Sequence, residues 1–323
     1  MKSLHLLALG PLLLLASCGG SDLYGSDVPA NTGTGAVLTS DNARTAAAAA
    51  FNAAMNSASF ADVGGTIGVT SMAPGSSSKA TSKNALSGFL LNVLQQVPFG
   101  PDVFQCESSG TMTISGDIAS LATLTAGDTF NIDANGCDDG LGEVLDGLIS
   151  LTITEFTGEL SLQTYLLRMD ARLDGLQVRT ITDVVNSTGD TSIDLDTRAT
   201  PFVSATVYGA SMTTSSNNDS QTLHNYRTEQ TVDAGRQGIP YTLTSFGTID
   251  SSLLSDAVTY TTPVQFAGFD VDCPSTGQLL ISGYNSSVRL VTLDNVNVRI
   301  DLDNDGNGTV DESIPTTWLE LAN

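Results

Sequence analysis

Basic residues are scarce in this chain of 323 amino acids: 12 Lys and Arg stand against 35 Asp and Glu. Only Lys79 and Lys83 follow Lys2, and the two histidines are His5 and His224. So acidic a surface repels phosphate backbones and anionic headgroups, which argues against nucleic acid as a partner. The shortage of histidine removes most nucleophilic chemistry. A Ser–His–Asp arrangement would have to use His224, which alternates with Leu223 in a strand-like run, and no Gly-x-Ser-x-Gly elbow occurs. A zinc centre needs more His and Cys than the chain offers. A phosphate-cradling Gly loop with a Lys is also missing. Carboxylates are so abundant that no single pair stands out for acid–base work. The chain therefore reads as a non-enzyme. Aromatic residues are only 6% of the whole, so the core must rest on Leu, Ile and Val and be spread thin. Beyond the first 17 residues, no run is long and apolar enough to cross a bilayer as a helix.

What is present begins at the N-terminus. An apolar run from Leu4 to Leu15 follows Lys2 and contains Gly10-Pro11. It is shorter than the roughly 20 residues of a spanning helix, but suits a signal-peptide core. It leads into Leu15-Ala16-Ser17-Cys18-Gly19-Gly20. This stretch resembles the lipobox of bacterial lipoproteins: a Leu, two small residues, then the cysteine that takes lipid. The resemblance implies a leader over 1–17 and a mature chain starting at Cys18, with a diacylglyceryl thioether and an acylated amine. Each buried methylene contributes about 0.8 kcal/mol, so several chains on one cysteine would hold the protein at a membrane. Gly19 after that cysteine, rather than Asp, resembles the sorting signal for the outer membrane. Loss of Lys2 with the leader leaves 11 basic residues against 35 acidic ones.

Residues 18–38 are rich in Gly, Ser, Thr, Asp and Pro and read as a flexible tether. Thr39-Ser40-Asp41 offers N-cap chemistry for a helix over about 41–57, on which Phe51 and Met55 share one face. Val63 to Val69 suggests a strand, and 73–83 a loop. Leu86, Phe89, Leu90, Val93, Leu94 and Val97 recur at three and four, predicting a second helix over 83–97 that Pro98 and Pro101 stop. Residues 39–103 thus form a helical N-terminal part.

From Phe104 onward, β-branched residues alternate with polar ones between Gly, Asn and Asp turns. Examples are Thr111 to Ile114, Leu151 to Thr154, Phe202 to Val207, Tyr241 to Leu243 and Val296 to Ile300. Asn186-Ser187-Thr188-Gly189-Asp190 reads as a hairpin loop. About a dozen strands fit into 104–323, mostly with short connections. The expected fold is mainly β, a large curved antiparallel sheet or open barrel with the two N-terminal helices packed against it. A weak internal repeat is visible. Phe104 to Gly116 and Val271 to Gly283 share Cys, Ser, Gly, Ile, Ser and Gly in register, and an Asp/Asn/Gly-rich loop follows each at 133–140 and 301–308. Three cysteines remain after Cys18, and export permits one bridge among them. Cys106–Cys137 is the preferred pair, because both flank one apparent hairpin region; Cys106–Cys273 is the alternative.

The sharpest motif is Asp301-Leu302-Asp303-Asn304-Asp305-Gly306-Asn307-Gly308-Thr309-Val310-Asp311-Glu312. Acids at positions one, three and five, Gly at six and Glu at twelve have the spacing of a calcium loop. The dodecapeptide resembles an EF-hand loop, although Gly308 takes the place of an aliphatic residue. The flanks also read as strands rather than helices. The resemblance implies calcium held by Asp301, Asp303, Asp305 and Glu312, with the Asn307 carbonyl. Asp133 to Gly140 is a weaker version and reads as a turn.

Taken together, the sequence resembles the functionally unassigned lipoproteins of Gram-negative bacteria, which combine a lipobox, an early Ala-rich helix and Gly/Asp-punctuated strands. The first expectation is a lipid-anchored structural or binding module of the cell envelope, at the outer membrane, with calcium as a stabilising ion. The alternative is a carrier of lipid or another hydrophobic ligand, in which the sheet encloses a cavity. A hydrolase with an unrecognised site comes third.

Overall fold

Alternating apolar and polar residues pair most simply with their neighbours in sequence, and the chain does this throughout. The computed structural model describes residues 35–59 and 101–322, apart from 107, 120–122, 139–143, 160–161, 163, 180–183, 217–218, 237–239 and 270–272. The leader, Cys18, most of the tether, the Val63 to Val69 piece and the expected helix at 83–97 lie outside the described residues.

Among the described residues, a long helix, a long meander and a short helix after it make up the body. Helix α1 spans Ala43–Ser59. The strands are β1 Asp102–Gln105, β2 Ser109–Asp117, β3 Thr129–Asp138, β4 Val144–Glu159 and β5 Thr164–Arg179. They continue as β6 Val184–Asp196, β7 Phe202–Ser215, β8 Ser220–Asp233, β9 Pro240–Ser251 and β10 Val258–Phe269. The last four are β11 Thr276–Gly283, β12 Ser286–Thr292, β13 Asn297–Asp303 and β14 Glu312–Thr317, followed by the short helix α2, Trp318–Ala322. All fourteen strands lie in one antiparallel sheet in sequence order, and the sheet is open, with β1 and β14 at its edges. The mainly β architecture expected from the alternation is therefore what the chain adopts. No boundary divides the sheet at the proposed repeat, because β10 pairs with both β9 and β11.

Helix α1 covers one face of the sheet. It lies against β7, β8, β9, β11, β12 and β13. A 17-residue helix is about 25 Å long and β7 to β13 span about 29 Å, so the helix runs across the strands. Alanine makes the approach close: Ala43, Ala46, Ala47, Ala50 and Ala54 are all fully buried. Phe51 is the one large anchor, with its ring 4.4 Å from Trp318 of α2 and 5.6 Å from Phe266 of β10. Near the C-terminal end, the Ser57 and Thr228 hydroxyls meet at 2.5 Å, and Thr228 reaches Ser245 at 2.6 Å. The start is capped by reciprocity. The Thr39 N–H donates to Asn42 Oδ1 at 2.8 Å, and the Ala43 N–H donates to the Thr39 carbonyl.

Several expectations change. The tether is shorter than 18–38, since Ala36 and Leu38 are buried in the body. The Ala36 N–H donates to the Ala257 carbonyl, and the Leu38 N–H to Ser286 Oγ at 2.8 Å. Asn186 to Asp190 is not a hairpin loop but the middle of β6, paired with β5 on one side and β7 on the other. Its polar, Gly-containing composition serves a bulge instead. Gly189 has φ +145°, and a Cβ there would stand 2.8 Å from the Ser211 carbonyl oxygen. Likewise Asp133 to Asp138 belongs to β3, with Gly136 at φ +56° where the register shifts. Trp318 and Leu319 continue as helix rather than strand.

Candidate functional site

The Asp-rich loop joins β13 to β14 at one edge of the sheet. Strand alternation places Arg299, Asp301 and Asp303 on the face opposite Ile300 and Leu302. Asp301 lies across the ladder from Arg289 of β12 and Ser313 of β14. Its carboxylate is already engaged: Arg299 Nε and Nη2 donate to it at 2.7 and 2.8 Å, and Ser313 Oγ donates at 2.7 Å. Glu312 is drawn elsewhere, accepting a hydrogen bond from Ser40 Oγ at the entry to α1. The structure therefore does not gather the expected set of Asp301, Asp303, Asp305 and Glu312.

It gathers a different one. Carboxylate oxygens of Asp303, Asp305 and Asp311 lie within 4.8 Å of one another. Asp303 is fully buried, while Asp305 and Asp311 are exposed. The buried carboxylate organises the loop: Asp303 Oδ1 accepts from the Gly306 N–H at 2.8 Å and the Asn307 N–H at 3.2 Å. Its Oδ2 accepts from the Gly308 N–H at 2.9 Å. Gly306 and Gly308, at φ +71° and +86°, let the chain wind tightly enough to present these donors. Asn307 folds back, its Nδ2 donating to Asp305 Oδ2 at 2.9 Å and its Oδ1 accepting from the Thr309 N–H at 2.8 Å. Asp311 Oδ2 accepts from the Asn304 N–H at 2.9 Å. Three carboxylates are thus held together by hydrogen bonds within the loop.

The remaining candidates fall as follows. Cys106 and Cys137 form a disulfide with Cα atoms 5.4 Å apart, tying the turn after β1 to β3. Cys273 is buried and lies outside the disulfide. His224 lies half-buried on β8, facing Ser211 and Thr248, neither an acid nor a base partner for it. Arg residues elsewhere on the sheet are taken up in pairs, such as Arg168 with Glu155 and Asp194, and Arg227 with Glu229. Asp311 is the member of the acidic group that the sequence reading missed. Counting from Asp303 instead of Asp301 would have found it, because Asp303, Asp305, Asn307 and Gly308 also fit positions one, three, five and six of the loop pattern and put Asp311 at position nine.

Comparison with protein-family models, curated proteins and solved structures finds no match. Function must therefore be argued from the chain itself.

Proposed function

We propose that the chain is a lipid-anchored lipoprotein of the cell envelope, with Cys18 as the attachment point and the sheet as a structural or binding module. The observation that carries the reading is the sheet face covered by α1. A carrier needs an apolar cavity where its ligand can leave water. Over β7 to β13 that space is taken by the alanine face of α1 and by Phe51, Phe266 and Trp318. The module then acts through its surface. Support for the anchor comes from the leader and the Leu15-Ala16-Ser17-Cys18 order, and from the sequence separation between Cys18 and Ala36, the first buried residue among those described. That spacing lets an acylated residue enter a bilayer without strain on the body. Radiolabelled palmitate tests the reading, compared between the native chain and Cys18→Ser. Label in the native chain and none in the variant, with export retained, is the expected result; equal label in both would refute it.

A further inference from the structure

We infer that Asp303, Asp305 and Asp311, with Asn307 and the Ser287 hydroxyl, form a divalent-cation site for calcium at the β13–β14 edge. Asp301 and Glu312 take no part in it. Calcium takes six to eight oxygen ligands and tolerates irregular geometry, so a loop of short acids around glycines suits it better than a rigid octahedral ion. The oxygens of the three carboxylates already lie within 4.8 Å of one another, a spread that one cation can bridge.

A second observation, independent of the loop, points to the same place. Ser287 of β12 sits directly opposite Asp303 in the ladder, with both side chains on the same face of the sheet. It is fully buried, and its Oγ has no hydrogen-bond partner. A hydroxyl in water would make up to three hydrogen bonds, so leaving it orphaned beside a buried carboxylate carries a real penalty. A cation drawn to Asp303 gives that oxygen something to coordinate. Asp301 and Glu312 lie outside this carboxylate group: the charge of Asp301 is paired with Arg299, and Glu312 accepts from Ser40.

Calorimetry on the full mature chain in detergent, stripped with chelator and titrated with calcium chloride alone, tests the assignment. One equivalent should bind, with a dissociation constant on the order of 10⁻⁴ to 10⁻³ M, as for exported modules. Asp305→Asn and Asp311→Asn should each weaken binding roughly tenfold or more, because each removes one of three charges. Both residues are exposed, so neither change threatens folding. Asp301→Asn and Glu312→Gln should leave the affinity unchanged, and Ser287→Ala should weaken it several-fold. The Cys18→Ser chain should bind as the native chain does, which separates this result from the lipid anchor. Absence of heat up to about 10 mM calcium would overturn the site. So would loss of binding in Asp301→Asn with binding kept in Asp311→Asn, or full affinity in Ser287→Ala.

Discussion

Removing the Phe51 ring should be the most damaging single truncation in α1. The side chain is 3% exposed and lies between Trp318 and Phe266, with centroids at 4.4 and 5.6 Å. Buried Phe→Ala changes cost roughly 3–5 kcal/mol, and ring pairs of this geometry add about 0.5–1.5 kcal/mol beyond the area they bury. Two such pairs place Phe51 in the upper half of the range. Alanine's better helix propensity returns roughly 0.5 kcal/mol. The net loss is about 4 kcal/mol, or a roughly thousandfold shift toward the unfolded chain. Trp318 is the only tryptophan, so its fluorescence reports on this contact alone. Urea unfolding followed by that signal should show a lower midpoint with an unchanged slope, and native emission should shift to the red as the indole loses its cover. A loss below about 1 kcal/mol, or an unshifted emission, would refute the claim that this cluster fastens the helix to the sheet.

Three further outcomes follow from the same coordinates. Reducing the Cys106–Cys137 bridge, which closes a separation of 31 residues, should lower stability by about 3–4 kcal/mol; denaturant melts with and without reductant measure this. Burial pushes Tyr165 and Tyr260 up to about 12, so the folded chain holds these protons after the unfolded chain has released them near 10. Their contribution is therefore complete below pH 10 and lost as pH rises toward 12, by roughly 2–3 kcal/mol each; because the chain has seven tyrosines, each is followed by difference, and tyrosinate absorbance near pH 10 in the folded protein that disappears in Tyr165→Phe or Tyr260→Phe would contradict it. Finally, Gln230 is 2% exposed and neither end of its amide has a hydrogen-bond partner, so Gln230→Met should stabilise by about 1–2 kcal/mol in thermal melts.

The sequence announced the sheet more clearly than its details. Alternation at Leu151 to Thr154 and Val296 to Ile300 is local, and each run folds as the strand it resembles. Polar glycine-containing runs mislead because a bulge and a hairpin turn use the same residues. At Asn186 to Asp190 only the flanking strands decide between them: β5 and β7 both extend past the run, so it stays in the ladder. The end of the chain carried a signal that strand-like composition obscured. Thr317-Trp318-Leu319-Glu320 is a capping box, in which the Glu320 N–H donates to Thr317 Oγ1 at 3.1 Å and the Thr317 N–H to Glu320 Oε2 at 3.3 Å. Those bonds, with one from the Thr316 hydroxyl first among them, hold the Glu320 carboxyl below its usual range. At the acidic loop, residue types and spacing marked out Asp303 and Asp305, whose carboxylates lie together, but not Asp311. They could not reveal that Arg299 claims Asp301, because that depends on strand pairing.

An open sheet leaves two unpaired edges, and each is a template for uncontrolled association. This chain blunts both with covalent or conformational devices. Strand β1 is only four residues long, and the disulfide at Cys106 anchors the chain just beyond it. Strand β14 is six residues long and contains Pro315, whose nitrogen donates no hydrogen bond, and it ends at the capping box of α2. Helix α2 is in turn fastened to α1, through the Phe51–Trp318 stack and the Arg44–Glu320 pair at 3.6 Å. The Ser40–Glu312 hydrogen bond ties the start of the same strand to the entry of α1. One helix therefore does two tasks, covering one face of the sheet and fixing both ends of the edge strand. Occupancy of the Asp303 site would act on that edge as well, since it cross-links the loop that begins β14. The surface left for interaction is then the broad outer face of the sheet and not its edges. Under the proposed lipid anchor, that is the arrangement that keeps crowding at a membrane from turning the module into a fibre.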